Sequence, residues 1–359
     1  MVNRIGEHMK ENIKNISSKL DISEDEIEKW LNIFKGLINN KQIETTPTSK
    51  SLRPFRIIKN GLKKGKDIEA IKILLINYQM NLNLTEYKIR NGTENEKISS
   101  PLRFPGSKSK VLGRFVPYFD SPHIEYREPF VGGGSIFFGK AKARHNILND
   151  IDENVYSFFI ALRDYPKELC ELVLNNYPSV ELWKQKRQQT FHQSIIEKGF
   201  DFLFFNRTNY SGIYNASLLG GIEQKSNYPI DCRWNPTLLC QSIISCSEKL
   251  KDVTIMNQNF DTIITMPGEN VLLIIDPPYY KQGHKLYPIS MKHEDHVRLA
   301  KLLRETNHRY LLTIDDCEET RAIYMHENCY MNQENWYYTI NSNKSGKLGK
   351  ELFISNFKV

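Results

Sequence analysis

Hydrophobic residues recur at helical spacing in two stretches of the first hundred positions, Ile16 to Ile38 and Asp67 to Tyr78. Between them the polar run KQIETTPTSKSLRP reads as a loop, and KIRNGTENEKISSP (residues 88–101) reads as a linker. A domain boundary is therefore expected there, with a small helical domain at 1–98 and a larger one at 99–359. After Pro101 the pattern changes to short apolar runs alternating with amphipathic ones. HIEYREPF (123–130), HNILND (145–150), VLLIID (271–276) and RYLLTIDD (309–316) are expected strands; SIFFGKAKA (135–143) and HEDHVRLAKLLRE (293–305) are expected helices. Strands alternating with helices predict an α/β fold, a mostly parallel sheet covered on both faces. The stretch of about 165–250, rich in Asn, Gln, Tyr, Arg and Trp, lacks a clean period and is expected to be an insertion between sheet elements. Neither an internal repeat nor a low-complexity tract is present.

Composition changes this picture little. The 359 residues suffice for two or so domains, and 40% hydrophobic with 25% charged residues is ordinary for a soluble globular chain. No apolar run approaches the roughly 20 residues of a membrane helix, and the polar start MVNRIGEHMKEN lacks the apolar core of a signal peptide; a cytoplasmic protein is expected. The net charge of +7 leans towards a polyanionic partner but has meaning only where basic residues gather beside a site. The six cysteines form no CxxC pair and no zinc-finger spacing, so free thiols and no metal are expected.

Candidate chemistry begins at Glu128-Pro129-Phe130-Val131-Gly132-Gly133-Gly134-Ser135, where a strand feeds a triple-glycine turn that opens a helix. Glycine lets the backbone bend sharply and approach a ligand closely, and the carboxyl end of a strand is where open α/β sheets bind nucleotides. Asp150, 18 residues beyond Gly132, ends the next strand and can accept hydrogen bonds from ribose hydroxyls. These features alone leave open an empty tight turn, a dinucleotide site or an S-adenosylmethionine site. Asp276-Pro277-Pro278-Tyr279, after the apolar VLLII, is more specific. Methylating an exocyclic amino group requires two acceptors for its N–H bonds, so that its delocalised lone pair is localised. The Asp276 carboxylate and the Pro277 carbonyl supply them. Pro278 stiffens the turn without an N–H to compete, and Tyr279 offers a ring face to a base flipped out of a duplex.

Over about residues 101–356 the chain resembles the Dam-type (D12 class, alpha group) DNA adenine-N6 methyltransferases. Phe104-Pro105-Gly106-Ser107-Lys108 is similar to that family's amino-terminal cofactor motif, with Phe104 where its GATC enzymes often carry Trp. EPFVGGGS matches the glycine motif, LNDID the ribose acid, Asn257-Gln258-Asn259-Phe260-Asp261 a cofactor-adenine segment, DPPY the catalytic tetrapeptide, and NSNKSGKLGKELFISN the closing segment. The resemblance implies a Rossmann-like methyltransferase fold with an inserted target-recognition subdomain, and S-adenosylmethionine as cofactor. Phe104, Lys108 (on the methionine carboxylate), Glu128, Phe130, Gly132, Gly134, Asp150, Phe260 and Asp276 would form its site. It also implies a monomer acting on duplex DNA, in a restriction-modification pair with a cognate endonuclease or in genome marking. Two segments echo cytosine-C5 enzymes, Leu239-Cys240-Gln241 and Glu269-Asn270-Val271. The proline before the cysteine is missing, however, and the motif order is wrong for that thiolate chemistry.

Phe205-Asn206-Arg207-Thr208-Asn209-Tyr210-Ser211-Gly212-Ile213-Tyr214-Asn215 resembles the start of the family's DNA-reading hairpin. Arg207 and Ser211 are DNA-contact candidates, and Tyr210 falls where the family's wedge enters the gap left by the flipped base. Asn215 stands where GATC enzymes carry a base-reading arginine, which argues against a GATC target. Arg187, Lys225 and Arg233 in the insertion, with Lys344, Lys347 and Lys350 near the carboxyl end, are candidate phosphate contacts. Trp183 and Trp234 are expected in local core. In the first domain, Ile16 to Trp30 has helix-turn-helix spacing with a turn at Asp21 and an N-cap at Ser23. The would-be reading helix, EDEIEKW, is acidic and repels phosphates, so protein contact or a purely structural role is expected of it; the basic run Lys59 to Lys66 could touch DNA elsewhere. An RNA amino-methyltransferase and a DNA-binding regulator with a spent site are the rival readings. Intact Lys108, glycine turn, Asp150 and DPPY argue against the second.

Overall fold

The computed structural model describes residues 2–38, 48–49, 51–96, 98–104, 106–189, 191–281, 289–338 and 347–359. The chain divides into two compact units, Met1–Glu86 and Tyr87–Val359. The division lies 12 residues ahead of the boundary expected at 98, and inside a helix. Tyr87 explains why: its buried hydroxyl accepts the Ala141 N–H at 3.2 Å and its ring lies 5.7 Å from that of Phe119, so the last turn of this helix belongs to the second unit.

The first unit contains α1 (Val2–Leu20), α2 (Glu24–Ile33), α3 (Arg53–Lys63) and most of α4 (Ile68–Arg90). The tight turn after α1 places Asp21 at φ 53°, and Ser23 caps α2 by accepting the Glu26 N–H at 3.2 Å, as the spacing predicts. The Lys59 ammonium closes the other side of the turn, donating to the carbonyls of Leu20 (2.5 Å) and Asp21 (3.2 Å). Ile16, Leu20, Ile27, Trp30, Phe34, Phe55, Ile58 and Ile71 form the core. α3 was not expected; Pro54 and the six basic residues within KSLRPFRIIKNGLKK mask its apolar stripe. Gly61 lets α3 approach Ile71 so closely that a Cβ would come within 2.8 Å of its side chain.

The second unit is built on a seven-stranded sheet of order β3-β2-β1-β4-β5-β7-β6. The strands are β1 (Glu125–Glu128), β2 (His145–Asn149), β3 (Val253–Met256), β4 (Val271–Ile275), β5 (Arg309–Asp315), β6 (Tyr330–Tyr338) and β7 (Lys347–Ser355). The first five in spatial order are parallel, and β7 lies antiparallel between β5 and β6. Its helices are α5 (Val116–Phe119), α6 (Ser135–Gly139), α7 (Glu153–Asp164), α8 (Pro166–Asn175), α9 (Val180–Gln188), α10 (Ile195–Thr208), α11 (Pro236–Leu250), α12 (Phe260–Thr265), α13 (His293–Glu305) and α14 (Glu318–Tyr324). All five residues of β4 are buried, the continuous apolar run of a strand covered on both faces. Val271, Leu273 and Ile275 pack with Leu299, Leu303 and Tyr324 of α13 and α14.

The region expected as an irregular insertion is largely helical. α10 and α11 both pack on α7, and α11 also on α8. α10 hid in the sequence because Gly199 through Asn206 are buried on every side, which erases amphipathic period. No helix among the described residues is long and apolar enough to cross a membrane. The placement of β1 beside β4, with Glu125 paired to Val271, is what builds the site. The glycine turn and the DPPY turn leave neighbouring strands at the same edge of the sheet.

Candidate active site

The cofactor side of the cleft grows from β1. Beyond Glu128 the chain turns through Gly132 (φ 48°) and Gly134 (φ 70°) before α6 begins at Ser135. Phe104 packs against this turn. A Cβ on Gly133 would come within 2.7 Å of the Phe104 Cβ, and one on Gly132 within 2.8 Å of its ring. The Asp150 carboxylate accepts the N–H groups of Gly132 (2.9 Å) and Asp152 (3.0 Å), and burial raises its pKa to about 6. Buried Asn149 ties three loops together, donating to the carbonyls of Pro129 and Gln258 at 2.9 Å and accepting the Gln258 N–H at 2.8 Å. Phe130 and Phe260 stand 5.4 Å apart, and the Arg298 guanidinium lies 4.8 Å over the Phe260 ring. Glu128 is buried and accepts the Tyr126 hydroxyl at 2.6 Å; burial pushes its pKa up to about 8. Phe104, Glu128, Phe130, Gly132, Asp150, Phe260, Arg298 and Asp276 line one cleft with about 1120 Å³ of empty space, its open mouth included.

On the chemical side, Asp276 follows β4. Its carboxylate accepts the Lys108 ammonium on both oxygens at 2.7 Å and the Thr313 hydroxyl at 2.6 Å. Lys108 also donates to the Tyr279 hydroxyl (2.9 Å) and to the Gly106 carbonyl (3.3 Å). Behind it, 3.8 Å from the ammonium, lies the fully buried Glu351 of β7. Burial raises the Glu351 pKa to about 7, Lys108 opposing and Asp276 reinforcing the shift. One ammonium thus serves two carboxylates. The loop after DPPY is pinned by Asp315, at the end of β5, which accepts the N–H groups of Tyr280 (2.9 Å) and Lys281 (3.0 Å).

The structure gathers Phe104, Glu128, Phe130, Gly132, Asp150, Phe260, Asp276 and Pro278 around the cleft, with Gly134 beneath the turn against Phe138 and Phe159. Pro277 is buried beside them. Lys108 points to Asp276 and Tyr279, the strong acceptors within reach of a buried ammonium. Arg187 and Arg207 depart from expectation. Arg207 donates to the Pro101 carbonyl, and Arg187 to that of Tyr214 while stacking 4.1 Å over Phe205. Both are structural ties, with neither guanidinium presented as an open phosphate contact. Tyr210 (58% exposed), Asn215, Lys225, Arg233 and Lys350 are exposed; Ser211 is half-buried at φ 56°, and Lys225 pairs with Glu223 at 2.5 Å. Lys344 lies outside the described residues, and Lys347 opens β7. Trp234 is buried, and Trp183 donates to the Asn209 side chain at 2.7 Å. Cys240 sits in α11 and bonds to the Cys170 carbonyl at 3.8 Å, so its likeness to a C5-enzyme nucleophile has no counterpart at the site.

Four residues that the geometry ties to the site were not singled out in the sequence: Thr313, Asp315, Glu351 and Asn206. Asn206, buried, accepts the Arg103 N–H (2.7 Å) and donates to the carbonyls of Arg103 and Gly212 (both 2.9 Å). It fastens the Tyr210 turn to the segment leading into Phe104. Gly212 is held so close that a Cβ would lie 2.2 Å from the Arg103 carbonyl. The acids ending LLTIDD were a signal for Asp315, since acids at a strand's carboxyl end face the site edge. Glu351 gave a weaker one, a lone charge inside the strand run ELFIS.

Residues 104–339 match the D12 class of N6 adenine-specific DNA methyltransferases. The chain belongs to this family. Among related proteins, a Lactococcus lactis subsp. cremoris protein named Type II methyltransferase M1.LlaDCHI is 21% identical over 71% of this chain and 94% of its own length. Type II methyltransferase M.MjaIII of Methanocaldococcus jannaschii is 24% identical over 58% of this chain and 80% of its own. The DNA N-6-adenine-methyltransferase of Escherichia phage P1 is 25% identical over 67% of this chain but only 32% of its own. The seven-stranded sheet with its covering helices agrees with the S-adenosylmethionine-dependent methyltransferase fold of this D12 family, whose members use S-adenosylmethionine as methyl donor. The cleft suits that donor. Phe130 and Phe260 offer apolar faces for a purine, Asp150 keeps acceptor capacity for ribose hydroxyls, and the side-chain-free turn at Gly132 and Gly133 leaves room for close approach.

Proposed function

We propose that this D12-class enzyme methylates N6 of an adenine flipped out of a specific duplex DNA sequence, as the modification half of a restriction-modification pair. The observation that carries this reading is the convergence on Asp276. Its carboxylate lines the cofactor cleft and accepts Lys108 and Thr313, and the same ammonium holds the Tyr279 hydroxyl beside it. The bound donor supplies an electrophilic methyl group on its sulfonium sulfur. Asp276 and the Pro277 carbonyl accept the two N6 hydrogens and localise the nitrogen lone pair, while Tyr279 provides a stacking face. Thr313 fixes the rotation of the Asp276 carboxylate, and Asp315 fixes the loop behind it. In this structure the Lys108 ammonium and the Thr313 hydroxyl take three of the roughly four acceptor positions of the Asp276 carboxylate, and an incoming amino group takes the remaining one or shares with Lys108. Most of the rate gain comes from proximity and orientation. The Type II names of two relatives support the restriction-modification setting.

The test is transfer of tritiated methyl from S-adenosylmethionine to genomic DNA of an unmethylated host, with Asp276→Ala as control. N6-methyladenine made by the wild type and lost by at least about a hundredfold in the variant, the scale of removing a group that stabilises the transition state, supports the reading. Label in RNA and none in DNA refutes it.

A further inference from the structure

α3 lies outside the stretch that matches the D12 class, residues 104–339, so the methyl-transfer chemistry does not account for it. Its inner side is apolar: Pro54, Phe55, Ile58 and Gly61 are buried. Its outer side carries Arg53, Arg56, Asn60, Lys63 and, one residue beyond the helix, Lys64, all exposed. At 3.6 residues per turn these five fall within an arc of about 100°. The stripe therefore holds four cations, one amide and no acid. Among the described residues none of the four cations has an ion-pair partner. Lys59 of the same helix is committed to the end of α1. Exposed acids gather instead on α2, at Glu24, Asp25, Glu26 and Glu28.

Helix stability does not explain the stripe. Lys63 and Lys64 sit at the carboxyl end, where cations complement the helix dipole, but Arg53 and Arg56 occupy the first turn, where they oppose it. Like charges three and four residues apart also repel one another. A mixed-charge face would be more stable, and a polyanion laid along the stripe removes this conflict. The spacing also suits a backbone of phosphates, with two arginine forks and two lysines carried by one rigid helix.

We propose that the exposed face of α3 is a second DNA-binding surface, which grips duplex phosphates without reading sequence. This rests on the reading of the enzyme as acting on duplex DNA. Such a surface lowers the KM for DNA and leaves the chemical step alone. It keeps the expectation that the acidic α2 takes no part in the task and gives that task to α3, whose carboxyl end opens into the basic run Lys59 to Lys66.

The test uses the full-length chain with Arg53→Gln, Arg56→Gln, Lys63→Gln and Lys64→Gln combined, and a second variant with Glu24→Gln and Glu28→Gln on α2. Binding to a random-sequence duplex is measured across a potassium chloride series, and methylation of plasmid DNA at physiological salt. The logarithmic salt slope is expected to shrink by about 3 to 4 in the α3 variant, at about 0.9 for every phosphate no longer neutralised. The KM for DNA should rise about tenfold or more, with kcat and melting temperature unchanged, and the α2 variant should keep the wild-type slope. An unchanged slope and KM overturn the proposal. So does a fall in kcat that follows a fall in melting temperature, which would mark a structural role. If the wild type labels no DNA, the catalytic reading fails on its own, while the salt slope still decides the role of α3.

Discussion

Glu351 pairs strand geometry with an unfavourable electrostatic position, and the consequence can be calculated. Its carboxyl is 1% exposed and titrates at about 7, against 4.5 for the free side chain. A folded-state pKa above the unfolded one means that folding takes up a proton. The stabilisation is full below about pH 4.5 and is lost as pH rises through about 7. At about 1.4 kcal/mol per unit, the interval from about pH 5.5 to 7 accounts for about 2 kcal/mol of lost stability, and above 7 the loss levels off. Glu351→Gln keeps the shape, removes the titration and leaves the Lys108–Asp276 pair intact. Glu128 and Asp150 are also raised, to about 8 and about 6, but they are common to both proteins and cancel in the comparison. Urea unfolding of wild type and variant at about pH 5.5 and about pH 8.5 should therefore show the variant gaining about 2 kcal/mol relative to wild type at the higher pH. Parallel stability curves would refute the reasoning, because they would mean that Lys108 already holds Glu351 ionised at both values.

Asn206→Ala deletes three hydrogen bonds and leaves the Arg103 N–H and two carbonyls without this partner. A loss of about 2–4 kcal/mol on urea unfolding is expected, with weakened base extrusion because the Tyr210 turn loses its anchor; unchanged values for both would show that the tie is idle. Tyr210→Ala removes a ring that is 58% exposed and unneeded by the core. It should keep the wild-type melting temperature while the fluorescence of 2-aminopurine at the target position falls, and an undiminished signal excludes the wedge role.

The catalytic half of the fold was legible where strands are buried on both sides. VLLIID and RYLLTIDD were plain because every residue of β4 and most of β5 face apolar neighbours, and the motifs that follow such strands inherit their position. β6 was missed because YMNQENWYY, at the edge of the sheet, carries no sustained apolar run, and β7 because its buried run ELFIS is short and opens on an acid. Glu351 and Thr313 were illegible for a related reason. Glu351 enters the site through the pairing of β5 with β7, where Asp315 lies opposite it, and Thr313 through the pairing of β4 with β5, which carries it to Asp276; these are relations between positions 36 and 37 residues apart that no local pattern announces. Lys108 was found by resemblance, but its contacts with Asp276 and Tyr279 were not, since which carboxylate a buried ammonium meets depends on distances that a one-dimensional motif lacks. The arginines of the insertion show the opposite error. Charge in the sequence suggested an outward reach, and burial among Phe205 and backbone carbonyls turned Arg187 and Arg207 inward.

The stretch between α10 and α11 has an implication for how specificity diversifies. Both helices are seated on α7, so the chain leaves the scaffold at Asn209 and rejoins it at Asn235, which caps α11 by accepting the Leu238 N–H at 3.1 Å. Between these seams the polypeptide can lengthen cheaply, a doubling of loop length costing only about 0.6 kcal/mol in closure entropy. The tether that a replacement must retain is the Tyr210–Gly212 turn held by Asn206. Within residues 213–234 the buried Leu218, Ile230 and Trp234, the last packed on Phe200 and Phe204, are further anchors, so the exposed stretch 221–229 is the part that the scaffold leaves free to change.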